Sequence, residues 1–527
     1  MKYLFAVVLV LLLIASVAVH QGMPDQGEVP TLRWATEQGE VREGQRRVFD
    51  SWIKKQHADD PKNFPLFNVQ IDPANNRNDK LIIQGVAGVA SDLFSGSRGG
   101  FRSFQSIGLL EDITDVAKAK GFSYSETYPP LYWEITRNGR QYGYPMNVTV
   151  PLFITNARAF RQFGVETPKN GAEWTIEEFE ALGVKYVTAA RQELGRRAYF
   201  VDKYEPLVLR RSFGLATFNE TGTRSVLDDP RYVHTLKLLH RWTHDLNIMP
   251  TSGEAEAIAG AGLQNFVNGV YGMIYDGSWW LEALRPNTGR FNQVVHGFSD
   301  GDMIGVPPPK PAGPEGMTNT ILRTRVCSIY AGGKHRDLAA VFMQYLASDD
   351  YSKELVTTPD SLPPNPHMTD PANPESELFY RPVRMQDGKN VLQYEWQINP
   401  VFVHAVWEWA VGTNYSDFVL PDVVSRIETL AIKDMIANRR TPEQTATLIH
   451  EGLQAEIAKT INADPRARAK YDELRALQQK IDERRAAGQK VPVAWLQDPF
   501  YQRYYLHRGW AEGEARINVP VERRYKK

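Results

Sequence analysis

Two histidines four residues apart, in His240-Arg241-Trp242-Thr243-His244, come nearest in this chain to a metal-binding pattern. On a helix that spacing puts both imidazoles on one face. A zinc-protease helix would carry a glutamate beside the first histidine. Arg241 stands there instead, and no third ligand is evident. Hydrogen-bonded or solvated histidines are the better reading. Asp300-Gly301-Asp302 and the stretch from Asp72 to Asp79 gather carboxylates, but neither follows the calcium-loop pattern. A glycosidase needs two placed carboxylates, and no motif marks such a pair. The single cysteine, in Arg325-Val326-Cys327-Ser328-Ile329, sits in an apolar, strand-like run and reads as core. Asn147-Val148-Thr149 and Asn414-Tyr415-Ser416 fit the glycan-acceptor triplet, a pattern that arises readily by chance. No glycine-rich phosphate loop precedes a helix. The reading therefore assigns no catalytic residue, metal or cofactor. What the chain has in quantity is aromatic surface, with 12 Trp, 23 Tyr and 23 Phe. Most must be core, but aromatic rings are also the plates on which flat, hydroxylated ligands such as sugars rest.

The elements that must position these groups alternate. At 527 residues the chain exceeds one hydrophobic core, so two or more lobes are expected. Its net charge of -1 argues against coating nucleic acid. Lys2 and the apolar run Tyr3 to Val19 read as an export signal over residues 1–22, with cleavage after Ala18. The same segment serves as an uncleaved membrane anchor if cleavage fails. No cysteine follows the run, so bacterial lipid attachment is excluded. Strand (Leu32 to Ala35), helix (Val41 to Gln56) and strand (Asn68 to Ile71) open a parallel α/β sheet. Lys80 to Val86 reads as a helix, Ser91 to Phe94 as a strand and Phe101 to Ile107 as a helix. A second region has a strand at Val150 to Thr155, a helix capped by Asn156, and a Thr175/Glu178 capping box. Tyr232, Leu236, Leu239, Trp242 and Leu246 form a helical stripe, and Pro307 to Pro311 a stiff extended connector. Asp464 to Lys490 reads as a long charged helix with a narrow stripe of Tyr471, Leu474, Leu477 and Ile481. Beyond it, Trp495 to Trp510 mixes aromatic and basic residues. That mixture can bind single-stranded nucleic acid, but in an exported chain it reads as a packed tail.

Several stretches together resemble the extracellular solute-binding protein family 1, whose best-known member is maltose-binding protein. They are Ser91-Asp92-Leu93-Phe94 with Ile107 to Ile113, Asn138 to Pro145, Thr155-Asn156 through Trp174-Thr175 to Phe179, Phe266 to Met273 with Asp276-Gly277-Ser278-Trp279, and Arg440 to Ala446. They fall in the family's order from about Leu32 to Ile461. Ala90-Ser91 departs from it where a proline is usual, and the tail after Asn462 has no counterpart.

The resemblance implies an α/β, two-lobed periplasmic-binding-protein type II fold with a ligand cleft between lobes, to which this chain adds a C-terminal helix. Residues 32–146 and 306–347 would form lobe 1, residues 147–305 and 348–462 lobe 2, and residues 463–527 a helical extension. It implies a carbohydrate-binding subunit of an ABC importer, located in the periplasm or cell envelope. Its partners would be a sugar or oligosaccharide and the transporter permease subunits, with no nucleic acid. Ligand would favour a closed hinge state through its contacts with both lobes. Family contacts fall at loops after strands, which selects Glu37 and Gln38, Ser95, Ser97 and Arg98, Asn147 and Thr149, and Asp276, Ser278, Trp279 and Trp280. Trp279 stands where the family has a stacking tryptophan. Trp396, Trp407 and Trp409 are later aromatic candidates, and for these and Trp280 a core or surface position is at least as good a reading. Two other functions stay open: a sensory ligand-binding module for a membrane receptor, and an exported glycan-degrading enzyme.

Overall fold

The computed structural model describes residues 29–73, 78–260, 263–284, 298, 301–358, 361–386, 389–392, 397–412 and 416–515. The proposed signal segment, Asp300, Trp396 and Asn414-Tyr415 lie outside the described residues. Two sheets are built from β1 (Thr31–Thr36), β2 (Asn68–Pro73), β3 (Leu93–Ser97), β4 (Tyr144–Thr149), β5 (Leu152–Asn156), β6 (Tyr199–Val201), β7 (Tyr271–Asp276), β8 (Met303–Val306) and β9 (Arg323–Ile329). The chain forms two compact units. Of the described residues, the first holds those within 29–126, 135–146 and 325–354, and the second those within 127–134, 147–324 and 355–515. The chain passes between them inside β4, inside β9 and inside the Asp349–Thr357 helix, as well as on either side of residues 127–134.

The first unit carries the five-stranded sheet β2-β1-β3-β9-β4. β1 pairs in parallel with both β2 and β3, and β9 runs antiparallel to β3. The strand-helix-strand opening follows the sequence reading, with a helix at Glu40–Asp59 between β1 and β2. Its buried face presents Phe49, Trp52 and Ile53. Phe49 packs on Phe67, Phe342 and Tyr345 with ring centroids 5.1 to 5.4 Å apart. Such aromatic packing supplies much of the apolar burial here. The Tyr345 hydroxyl donates to the Gln45 carbonyl at 2.6 Å, so its burial leaves no polar group unpaired.

The second unit is organised on the four-stranded sheet β8-β5-β7-β6. β5 is antiparallel to both of its neighbours, and β6 is parallel to β7. The Ile176–Leu194 helix begins with the expected Thr175/Glu178 capping box and ends at Gly195 in the left-handed conformation, φ 60°. Asn156 caps the next-door helix by accepting the Ala159 N–H at 3.0 Å. The Pro307 connector is extended and pinned: Trp174 Nε1 donates to the Pro307 carbonyl at 2.7 Å, and Lys310 N–H to the Trp174 carbonyl at 3.1 Å.

The C-terminal part belongs to this same unit. The Pro465–Ala486 helix buries Leu474 and Ile481 of the expected stripe, with Tyr471 and Leu477 only partly buried, and adds buried Gln478. The tail is packed, as read: Phe500, Tyr501, Tyr504 and Tyr505 of the Pro499–His507 helix join Ala216, Met317 and Val411 in one cluster. The two histidines of the Pro230–His244 helix are hydrogen-bonded. His240 Nε2 meets Asn438 Oδ1 at 2.7 Å, and His244 Nε2 the Ile436 carbonyl at 2.9 Å. Asp72 lies in an ion pair with Arg33 at 3.1 Å. Burial opposes its ionisation, yet the Ser91 hydroxyl, Lys80 and Arg33 hold its carboxyl below the usual range. No described helix is long and apolar enough to cross a membrane.

Candidate functional site

In the second unit, strand pairing first brings β4 against the residues before Pro363. Val148 exchanges two backbone hydrogen bonds with Leu362, of 2.9 and 3.0 Å. Side chains alternate along a strand, so Asn147 and Thr149 both reach Ser361, the neighbour of Leu362. Asn147 Nδ2 donates to Ser361 Oγ at 3.3 Å, and Thr149 Oγ1 lies 3.0 Å from the same oxygen. Thr149 and Ser361 are buried.

The end of β7 joins this group through Gly277. A Cβ at that position would lie 2.2 Å from Trp279 Cζ3 and 2.3 Å from Thr149 Cγ2, so the indole edge and the threonine methyl meet over the bare glycine. Trp279 and Trp280 are both half-buried, and Trp280 packs against the apolar core. Ser278 is buried, and its Oγ has no hydrogen-bond partner among the described residues. A buried hydroxyl left unpaired is costly unless something completes it. Asp276 closes the patch. It accepts from its neighbour's N–H at 3.0 Å and from Lys203 Nζ at 3.0 Å. Burial lowers the Lys203 pKa, but Asp202 and Asp276 outweigh it and raise the ammonium's pKa overall. Asp202 itself is pushed up to about 7 by burial, against the pull of Lys203.

The candidates of the first unit form a different group. Glu37, just after β1, makes a two-point pair with Arg325 of β9 and lies 3.8 Å from buried Arg42. Gln38 is exposed. Ser95 departs from the loop position expected of it. β3 runs on to Ser97 because Ser95, Gly96 and Ser97 pair with Cys327, Val326 and Arg325. The buried Ser95 hydroxyl is occupied at 2.6 Å by the Trp34 indole N–H. Cys327 is buried beside it, its thiol pushed up to about 12 by burial. Ser97 ends the strand and Arg98 opens the next helix; their side chains are outside the described ones.

The structure thus gathers Asn147, Thr149, Asp276, Ser278 and Trp279 into one patch and adds Ser361 and Lys203, which sequence reading did not select. Ser361 lies 214 positions from Asn147, and only tertiary structure links them. Trp407 and Trp409 are core residues, and the Trp409 indole donates to Glu173 at 3.1 Å.

Residues 67–353 match the bacterial extracellular solute-binding protein family. This chain belongs to that family. Solved structures of similar fold include an ABC substrate-binding protein from Listeria monocytogenes in complex with cycloalternan, which is 17% identical with a TM-score of 0.62. The likeness covers 81% of this chain and 98% of that one. Maltose-bound MalE3 of T. maritima is 18% identical with a TM-score of 0.60, over 81% and 99% of the two chains. UgpB from Mycobacterium tuberculosis in complex with glycerophosphocholine is 14% identical with a TM-score of 0.61, over 82% and 99%. No curated protein sequence matches the chain. Membership of the solute-binding family makes the Trp279 patch a candidate for holding solute. An indole with exposed surface, hydroxyls and an amide stand there together, and a charged pair adjoins them.

Proposed function

We propose that the protein captures a carbohydrate outside the cytoplasm and delivers it to an ABC importer, without breaking a bond in it. Family membership and the sugars held by two of the similar structures support this reading. The observation that carries it is the Trp279 patch. The half-buried indole offers a plate for the C–H face of a sugar ring, and Ser278, Thr149, Ser361 and Asn147 offer partners for its hydroxyls. Residues 1–22 would direct export, and capture would use the hinge movement that the family resemblance implies.

A thermal-shift screen over mono- and oligosaccharides tests the proposal, since a ligand that binds only the native state raises its melting temperature. Trp279→Ala is expected to weaken the best ligand at least tenfold while the unliganded protein melts as before. Unchanged affinity would remove Trp279 from the site. Release of shorter sugars during incubation with oligosaccharides would favour the glycan-degrading alternative.

A further inference from the structure

Two cavities in the second unit share one tryptophan as a wall. The larger, about 790 Å³, forms where the Pro465–Ala486 and Pro499–His507 helices cover residues 214–231. The smaller, about 590 Å³, lies against the turn at 486–490 and Gly509-Trp510. Asp482, Arg485 and Trp510 line both, so the two make one furrow with the indole standing at its middle. Each volume is in the range of small-molecule sites. The furrow shares no residue with the Trp279 patch.

Trp510 is 36% exposed, whereas Phe500, Tyr501, Tyr504 and Tyr505 beside it are at most 5% exposed. Its position is nevertheless fixed. Its N–H donates to the Tyr505 carbonyl at 2.7 Å, and its carbonyl accepts from Val491 N–H at 2.8 Å. Its ring stands edge-on to Tyr504 and Tyr505, with centroids 5.9 and 5.7 Å apart, and the guanidinium groups of Arg485 and Arg508 lie 5.6 and 4.7 Å from its centroid.

The polar lining is equally pre-set. Buried Glu220 accepts from the Tyr505 hydroxyl, from Gln478 Nε2 at 2.7 Å and from Arg485 Nη1 at 3.3 Å. The charges nearly balance: Arg485 pairs with Glu220, Arg231 with Asp229 and Arg224 with Asp228, while Arg475, Asp482 and Lys490 complete the charged lining. Such a lining selects neither anion nor cation. It suits a neutral ligand rich in hydroxyls, for which exposed Arg475, Gln479 and Asp482 supply donors and acceptors. Groups already held in place lose little freedom when a ligand arrives.

We propose that this furrow is a second saccharide site, one that takes an internal stretch of a neutral polysaccharide passing along both sides of Trp510. It holds the protein on polymer independently of solute capture at the Trp279 patch. Native gels cast with soluble starch, laminarin, dextran or galactomannan test this by the retardation of the full chain. At least one polymer is expected to retard wild type and Trp279→Ala alike. Trp510→Ala should weaken that retardation at least fivefold, and Trp510→Phe should restore part of it. The surface pair Arg475→Ala/Gln479→Ala, which leaves the core intact, should weaken it at least threefold even if Trp510→Ala fails to fold. The proposal is overturned if none of the four polymers retards Trp279→Ala, or if the Arg475/Gln479 pair and a folded Trp510→Ala bind as wild type does. Failure of the solute-capture reading shows instead in Trp279→Ala binding small sugars normally, and leaves the gel result standing.

Discussion

Replacing Gly277 by alanine sets a methyl group where the Trp279 ring and the Thr149 methyl already meet. The added carbon would stand 2.2 Å from one and 2.3 Å from the other, against a comfortable carbon–carbon separation of about 3.5–4.0 Å. Each neighbour must therefore retreat by more than about 1 Å. Thr149 is buried and can turn away only by giving up its 3.0 Å contact with Ser361, a loss of about 1 kcal/mol. Trp279 is only half-buried, so the indole yields more easily. Overpacking of this kind costs about 1–3 kcal/mol. The substitution is expected to lower unfolding free energy by that amount in urea titrations. It should also weaken the best carbohydrate ligand at least tenfold by calorimetry, since the displaced plate no longer meets the sugar; tenfold corresponds to about 1.4 kcal/mol. A Gly277→Ala protein with wild-type stability would refute the packing of Trp279 and Thr149 over this glycine. Wild-type affinity with the expected stability loss would refute the role of the plate.

Two further perturbations read other parts of the second unit. Arg210 is fully buried and bonds both oxygens of Glu428 at 2.8 and 3.2 Å, so Arg210→Met should cost about 3–5 kcal/mol by stranding the carboxylate. Arg210→Met/Glu428→Leu should recover most of that loss in chemical denaturation; a single variant within about 1 kcal/mol of wild type would show the pair to be dispensable. Asp202, with its carboxyl raised to about 7 by burial, keeps its proton in the folded chain through a pH range where the unfolded chain has lost it. Its contribution to stability therefore falls as pH rises from about 4 to about 7. Asp202→Asn does not titrate, so its stability relative to wild type should climb across that window and then level off. A constant difference between the two proteins from pH 4 to 8 would contradict the shift.

Local chemistry was readable because it is written within a few residues. Thr175 and Glu178 specify their cap through reciprocal hydrogen bonds three positions apart. Leu474 and Ile481 mark the buried side of a helix that is otherwise charged. Trp279 opens the Trp279–Leu284 helix with its ring half-buried. What composition and spacing hide is pairing across the chain. Arg210 and Arg211 are adjacent charged residues, yet both are buried. Glu428, which balances the first, lies 218 positions away, and the carbonyls of Val411 and Gly412, which receive the second, lie about as far. Ser95 read as a loop residue because the strand that prolongs its own, β9, comes more than two hundred residues later. Ser361 escaped notice for the same reason: nothing in Ser361-Leu362-Pro363-Pro364 suggests a ligand group until Val148 is paired with Leu362. A binding surface is assembled from side chains on separate segments, so its members become visible only when strand register is known.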